Sequence, residues 1–409
     1  MLYLPHFNPS KSIYKGKSMN KKVILVWFRN DLRTHDNEVL HSAIQKADFV
    51  IPVYIFDSRY YQDNENGFHN TGDLRRQYTY YTVKALKEKL QSLGGDLLTY
   101  EGLPEEIIPH LVQKYDVDEV YHHREVAKRE TDISEWVEAA LWKIKINLKH
   151  FIGHTLYHKE DLPFPIRDIP EDFHTFRKKI EKESTVRQAI PDITEIKIPP
   201  HLEKSDMPAQ PDTSIPYAYG EAAALTELAS VLHTTFSGQD LYIKLSPYLA
   251  IGSLSPILTY HFMSQNSSAQ NKKNVSQIID GLLRRDYFRF MLKKFPSRFF
   301  INPSHTVSDP DLLTKWTTGQ TESTVINGLM HTLNETGNIT YKERELLAMH
   351  LIYEYGLNWL DGAAWFEQQL IDYAPSTNYG LWAHLAGQGT SKKHNKSDKD
   401  WEKVKGTLG

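Results

Sequence analysis

Apolar positions change their spacing part-way along the chain. Near the start they gather in short unbroken runs: Val23–Phe28 and Phe49–Phe56 read as buried strands, with Asp96–Tyr100 and Val117–Tyr121 as two more. Between them the period lengthens. Asn37–Gln45, Tyr78–Leu93 (with Val83, Leu86 and Leu90 at helical spacing, closed by Gly94-Gly95) and Glu105–Tyr115 read as helices. This alternation predicts right-handed crossovers and a doubly wound parallel sheet over residues 21–150. Residues 151–220 break the pattern with Pro163, Pro165, Pro170, Pro191, Pro199, Pro200, Pro208, Pro211 and Pro216, and read as a long interdomain linker. Over 221–389 helical spacing takes over: Glu221–Leu232, Ser255–Met263, Val275–Lys294, Thr324–Leu333, Lys342–Tyr355 and Ala363–Ile371. The expected fold is therefore α/β followed by an all-α domain. Residues 1–20 read as a leader without fixed structure, with Met19 a candidate start, and the Lys-rich stretch 390–409 as a solvated polar tail.

Composition narrows the chemistry. The 409 residues carry 48 Lys+Arg against 51 Asp+Glu, a net charge of -3, so bulk charge does not mark a nucleic-acid binder, although it leaves a local basic groove open. Zero cysteines exclude disulfides, thiolate metal sites and a thiol nucleophile. His150, His154 and His158 recur every fourth residue, but Phe151, Ile152, Leu156 and Tyr157 read as strand-like and no carboxylate falls in register, so no metal site is expected. The longest apolar run is too short to span a bilayer, and no phosphate-loop pattern occurs. A cytoplasmic monomer is the expectation.

Three motifs then point one way. Val26-Trp27-Phe28-Arg29-Asn30-Asp31-Leu32-Arg33 resembles the opening of photolyases and cryptochromes. Leu245-Ser246-Pro247-Tyr248-Leu249-Ala250-Ile251-Gly252 resembles their flavin-domain signature, and Trp359 through Trp382 their flavin-pocket segment. The linker stretch Thr155-Leu156-Tyr157-His158-Lys159-Glu160-Asp161-Leu162-Pro163-Phe164 is similar to DASH-type cryptochromes. The resemblance implies FAD as cofactor, with Lys244, Leu245 and Ser246 wrapping its pyrophosphate. It places Arg285 in the pocket, Arg344 and Asp372 as an ion pair polarising the ring, and Asn378 facing its reactive nitrogen. Trp382 and Trp359 match an electron relay whose outer member falls on Thr306. Arg124-Glu125-Val126 resembles a folate-type antenna region.

The departures fall together at the substrate side. The family's dimer-binding Glu falls on Gly281, its stacking Trp residues on Arg284 and His384, and its Asn-Arg pair on Tyr341-Lys342. A Ser/Thr pair is replaced by Tyr242-Ile243, and an Asp by Asn327. Three readings stay open. The first is a blue-light flavoprotein that binds single-stranded DNA or RNA weakly and salt-sensitively through Arg284, Tyr341, Lys342 and His384. The second is an active deoxyribodipyrimidine photolyase on single-stranded DNA. The third is a family member without flavin. Arg284, Arg285, Arg289, Lys293 and Lys294 fall on one helix with Arg298 close behind; Arg285 is expected to face the flavin and Arg284 to point to a cationic rim.

Overall fold

The computed structural model describes residues 21–211, 215–234, 238–304, 306–391 and 395–406, so the leader 1–20 and parts of the tail lie outside the described residues. The N-terminal sheet is parallel, in the order β3-β2-β1-β4-β5, with β1 Val23–Phe28, β2 Phe49–Asp57, β3 Leu98–Gly102, β4 Glu119–His123 and β5 Asn147–Phe151. Every residue of β1 is buried because the strand is central and helices cover both faces. The helices are α1 Glu38–Lys46, α2 Asp73–Ser92, α3 Pro104–Lys114 and α4 Lys128–Lys143. Asn37 caps α1 by accepting from the Leu40 amide at 3.1 Å, and Pro104 opens α3 where no amide donor is needed. β5 and α4 go beyond the four-strand expectation. Two of the three decoy histidines serve the sheet: His150 meets His122 at 2.7 Å, and the His154 ring packs on that of His123.

The linker wraps the first domain and carries α5, Phe173–Glu183, whose Phe176 is fully buried. The helical domain follows: α6 Gly220–Ser230, α7 Gly238–Ile251, α8 Pro256–Gln265, α9 Lys272–Lys294, α10 Pro310–Thr317, α11 Thr324–Thr336, α12 Tyr341–Met349, α13 Trp359–Gln369, α14 Pro375–Leu385 and α15 Asp398–Lys405. The tail is thus not wholly solvated. α15 buries Trp401, whose indole donates to Glu354 at 3.0 Å while Lys405 pairs with the same carboxylate at 2.7 Å.

The opening motif fastens the two domains. Arg33 donates to the Gly252 carbonyl at 2.9 Å, and Glu221 accepts from the Thr34 and His35 amides, both at 2.9 Å. Gly252 has φ +76, and a Cβ there would lie 1.9 Å from the Asn30 carbonyl oxygen, so the close approach of the chains requires glycine. Asp286 receives the Leu156 and Tyr157 amides at 3.0 and 2.9 Å, tying the linker to α9; burial pushes its carboxyl up to about 7.

Candidate flavin site

α7, α9, α12 and α14, together with the loop before α14, enclose a cavity of about 1230 Å³ of non-protein space, part of it open to solvent. A capping box at Thr340 and Glu343 fixes the start of α12, which sets Arg344 in its first turn. Arg344 then reaches Asp372 with bonds of 2.9 and 2.8 Å to the two carboxylate oxygens, and its Nε donates to the Ile339 carbonyl at 3.0 Å. Both residues line the cavity. Pro375 opens α14, so that Asn378 falls on the lining face; its amide donates to the Ala363 carbonyl at 2.9 Å, which orients its oxygen.

Arg285 is the buried cation of this wall. Its guanidinium donates to the carbonyls of His154 and Leu249, the latter at 3.1 Å, and it forms no ion pair among the described residues. Burial, reinforced by Arg289, draws it down to about 10. A buried cation whose hydrogen bonds go only to carbonyls, with no ion-pair partner in contact, favours an anionic guest in the cavity. These groups fit a flavin dinucleotide: Arg285 suits its diphosphate, and the Arg344–Asp372 pair together with Asn378 suits a polar ring edge.

The segment 244–246, expected to wrap a pyrophosphate, is helical, and of its three residues Ser246 lines the cavity. Pro247 sits inside α7 and cannot donate to the Ile243 carbonyl. The Ser246 hydroxyl fills that gap at 3.1 Å, with the Asn338 side-chain amide at 3.4 Å. Ser246 therefore lines the cavity with its one proton already spent, Leu245 is buried in the helical core, and the Lys244 ammonium lies 3.5 Å from Glu227. The segment is helix interior rather than a loop of free amides.

On the substrate side, two departures prove to be one feature. The Tyr242 ring occupies the space over Gly281, where a Cβ would meet it at 2.3 Å. Arg284 lines the cavity but is tied to Asp280 at 2.7 Å and lies over the Phe173 ring at 4.2 Å. Tyr341 lines the mouth; burial pushes its hydroxyl up to about 12. Lys342 is exposed beside it, whereas His384 lies next to the C-terminal segment, its carbonyl accepting from the Lys396 amide at 3.3 Å. Neither lines the cavity. The expected cationic rim does not form as one stripe: Arg285 and Arg289 are buried, Lys294 donates to the Ile169 carbonyl, and Arg298 to that of Gly389. Asn327 stands in for the missing Asp by bonding both the amide and the hydroxyl of Thr321 at 2.7 Å.

Trp382 packs on Gly362 and against Phe366, with ring centroids 5.0 Å apart. Its neighbour on the far side is Trp316, 6.1 Å away and fully buried, a residue the sequence motifs do not single out. Trp359 is buried too, and its indole N–H, like that of Trp382, has no acceptor. Thr306 is half-buried in an irregular segment, bonded to Ser304 at 2.7 Å.

Comparison with known proteins agrees with this geometry. The DNA photolyase profile matches residues 24–196, and the profile of the FAD binding domain of DNA photolyase matches residues 278–397. A cryptochrome DASH of Gloeobacter violaceus is 33% identical over 92% of this chain and 81% of its own, and one of Xenopus laevis is 34% identical over 92% and 78%. This chain belongs to the photolyase/cryptochrome family. It is an FAD-binding member of that family with DASH-type relatives. The crystal structure of the Synechocystis cryptochrome superposes with a TM-score of 0.85 at 32% identity, covering 91% of this chain and 83% of that one. An archaeal photolyase from Sulfolobus tokodaii, described with two FAD molecules, shares the fold at TM-score 0.77 and 22% identity, covering 90% and 84%. The Arabidopsis thaliana relative, 31% identical over 95% of this chain and 74% of its own, is named as a chloroplastic/mitochondrial form. Among the described residues no helix is long and apolar enough to cross a membrane.

Proposed function

We propose that this protein is a blue-light flavoprotein that moves an electron through its tryptophans but does not repair pyrimidine dimers. The observation that carries this reading is Tyr242 lying over Gly281: the wall where the family presents a carboxylate is filled by an aromatic ring. A flipped dinucleotide needs room and precisely placed donors, and a lost polar partner costs about 1–3 kcal/mol. When bound, FAD supplies the light-absorbing, electron-accepting ring. The chain's residues would do the rest: Arg285 would balance the diphosphate, Arg344 and Asp372 would hold the ring edge, and Trp382 backed by Trp316 would offer oxidisable side chains in a buried core. FAD is the one cofactor we propose, because the Glu125 carboxylate of the folate-antenna region is engaged by Arg289 at 3.1 Å and Asn30 at 3.2 Å. The compartment proposed is the cytoplasm, in keeping with a cysteine-free chain, and the protein a monomer. Nucleic-acid binding, if mediated by Arg284, Tyr341 and Lys342, is weak and salt-sensitive.

The test is illumination of purified, flavin-loaded protein with a thymine-dimer oligonucleotide. Light-driven flavin reduction without dimer loss is the expected result. Restoration of intact thymines under blue light would overturn the proposal in favour of a single-strand photolyase.

A further inference from the structure

A second polar cleft lies where the chain leaves β4 and meets the far side of α9. It holds about 420 Å³ of non-protein space, open on one side, and shares no lining residue with the flavin cavity. Lys293, which lines it, follows Arg284 by about two and a half turns at ~3.6 residues per turn, which puts the two on opposite faces of α9. Four cations face this cleft: Arg124, Lys159, Arg289 and Lys293. The lining carboxylate, Glu125, is already bonded to Arg289 and Asn30. Among the described residues no carboxylate pairs with Arg124, Lys159 or Lys293. Burial pushes the Lys293 amine down, and Lys159, Arg124 and Arg289 push it further, as expected of cations crowded without a counterion. The floor is polar and unsatisfied: the Thr155 hydroxyl and the Arg289 Nε are buried without a hydrogen-bond partner.

We propose that this cleft binds a phosphate group. An oxyanion accepts from the Thr155 hydroxyl and the Arg289 Nε–H while neutralising the flanking ammonium and guanidinium groups; a neutral acceptor meets the donors but leaves the charge, and a cation adds to it. The group is either inorganic phosphate or the terminal phosphate of a nucleotide, since both present the same oxygens.

Lysine acetylation of the full chain, read by mass spectrometry, tests this. Phosphate at millimolar concentration slows labelling of Lys159 and Lys293 about fivefold relative to chloride at equal ionic strength, a local protection that general salt screening does not give. Thr155→Val removes a floor donor and abolishes most of that protection, with retained flavin content reporting that the variant folds. Should Thr155→Val not fold, Lys159→Met, at a partly exposed position, carries the test through Lys293 alone. A nucleotide that protects at lower concentration than inorganic phosphate identifies the nucleotide as the source, and equal protection identifies the free anion. Identical labelling in phosphate and chloride overturns the proposal.

Discussion

The two walls of the flavin cavity carry different chemistry. On one, Arg344 and Asp372 stand as a two-bond ion pair, with Asn378 oriented beside them. On the other, Tyr242 over Gly281 and Arg284 over Phe173 replace donors with rings and a cation bound to its own helix. A wall that holds a resident cofactor cannot lose a charge without leaving its partner buried and unpaired. A wall that greets a visiting substrate can be refilled by packing alone. In the function proposed above, that difference separates holding the flavin from acting on a dimer.

The largest effect expected is at the charged wall. Asp372→Ala strands Arg344, a change worth about 3–5 kcal/mol, and FAD content after purification falls accordingly. Equal flavin-to-protein ratios in variant and parent would remove the ion pair from the site. Next comes the refilled wall: Gly281→Glu drives its Cβ into the Tyr242 ring and lowers stability by about 1–3 kcal/mol in denaturant unfolding. Adding Tyr242→Ser recovers most of that loss, because the two positions share one volume. Additive losses in the double variant would show that the two positions are independent.

A smaller effect belongs to the relay between the walls and the core. Trp382→Phe slows light-driven flavin reduction at least about tenfold, roughly 1.4 kcal/mol, with FAD still bound. Trp316→Phe slows it less if electrons leave through the 6.1 Å contact, and not at all if Trp359 is the next carrier. Parent-like rates in both variants would reduce both residues to packing. The smallest effect is on nucleic acid: Arg284→Ala weakens single-strand binding about two- to threefold and lowers the salt slope by about one. A pronounced preference for dimer-containing strands, measured in the same titration, would show that the refilled wall still admits substrate.

The strand and helix alternation up to β4 was legible because apolar period reports burial directly. β5 was not: Asn147–Phe151 is an edge strand with two buried positions among five, too weak a signal without its neighbour. α4 was missed for a related reason, since Trp136 and Trp142 face solvent and blur its amphipathic face. In the site, residue types matched to family motifs named Arg344, Asp372, Asn378 and Arg285, which the fold brings to one cavity, and also Lys244 and Leu245, which do not line it. Pro247 leaves the Ile243 carbonyl open four residues back, but no local pattern records that Ser246 and the distant Asn338 fill it.

The sequence by itself determined the two-domain order, the family and the chemical identity of the cavity's charged groups, all of which rest on local spacing and residue type. Tertiary structure alone decided how the departures combine. Tyr242 and Gly281 look like two separate losses along the chain; only the packing of α7 on α9 makes the ring and the missing side chain one volume. Trp401 likewise anchors an otherwise polar tail, because Glu354, at the end of the helical segment His350–Glu354, is there to receive its indole. Contacts between residues far apart in sequence depend on where the backbone brings them, and that is set by the whole core at once.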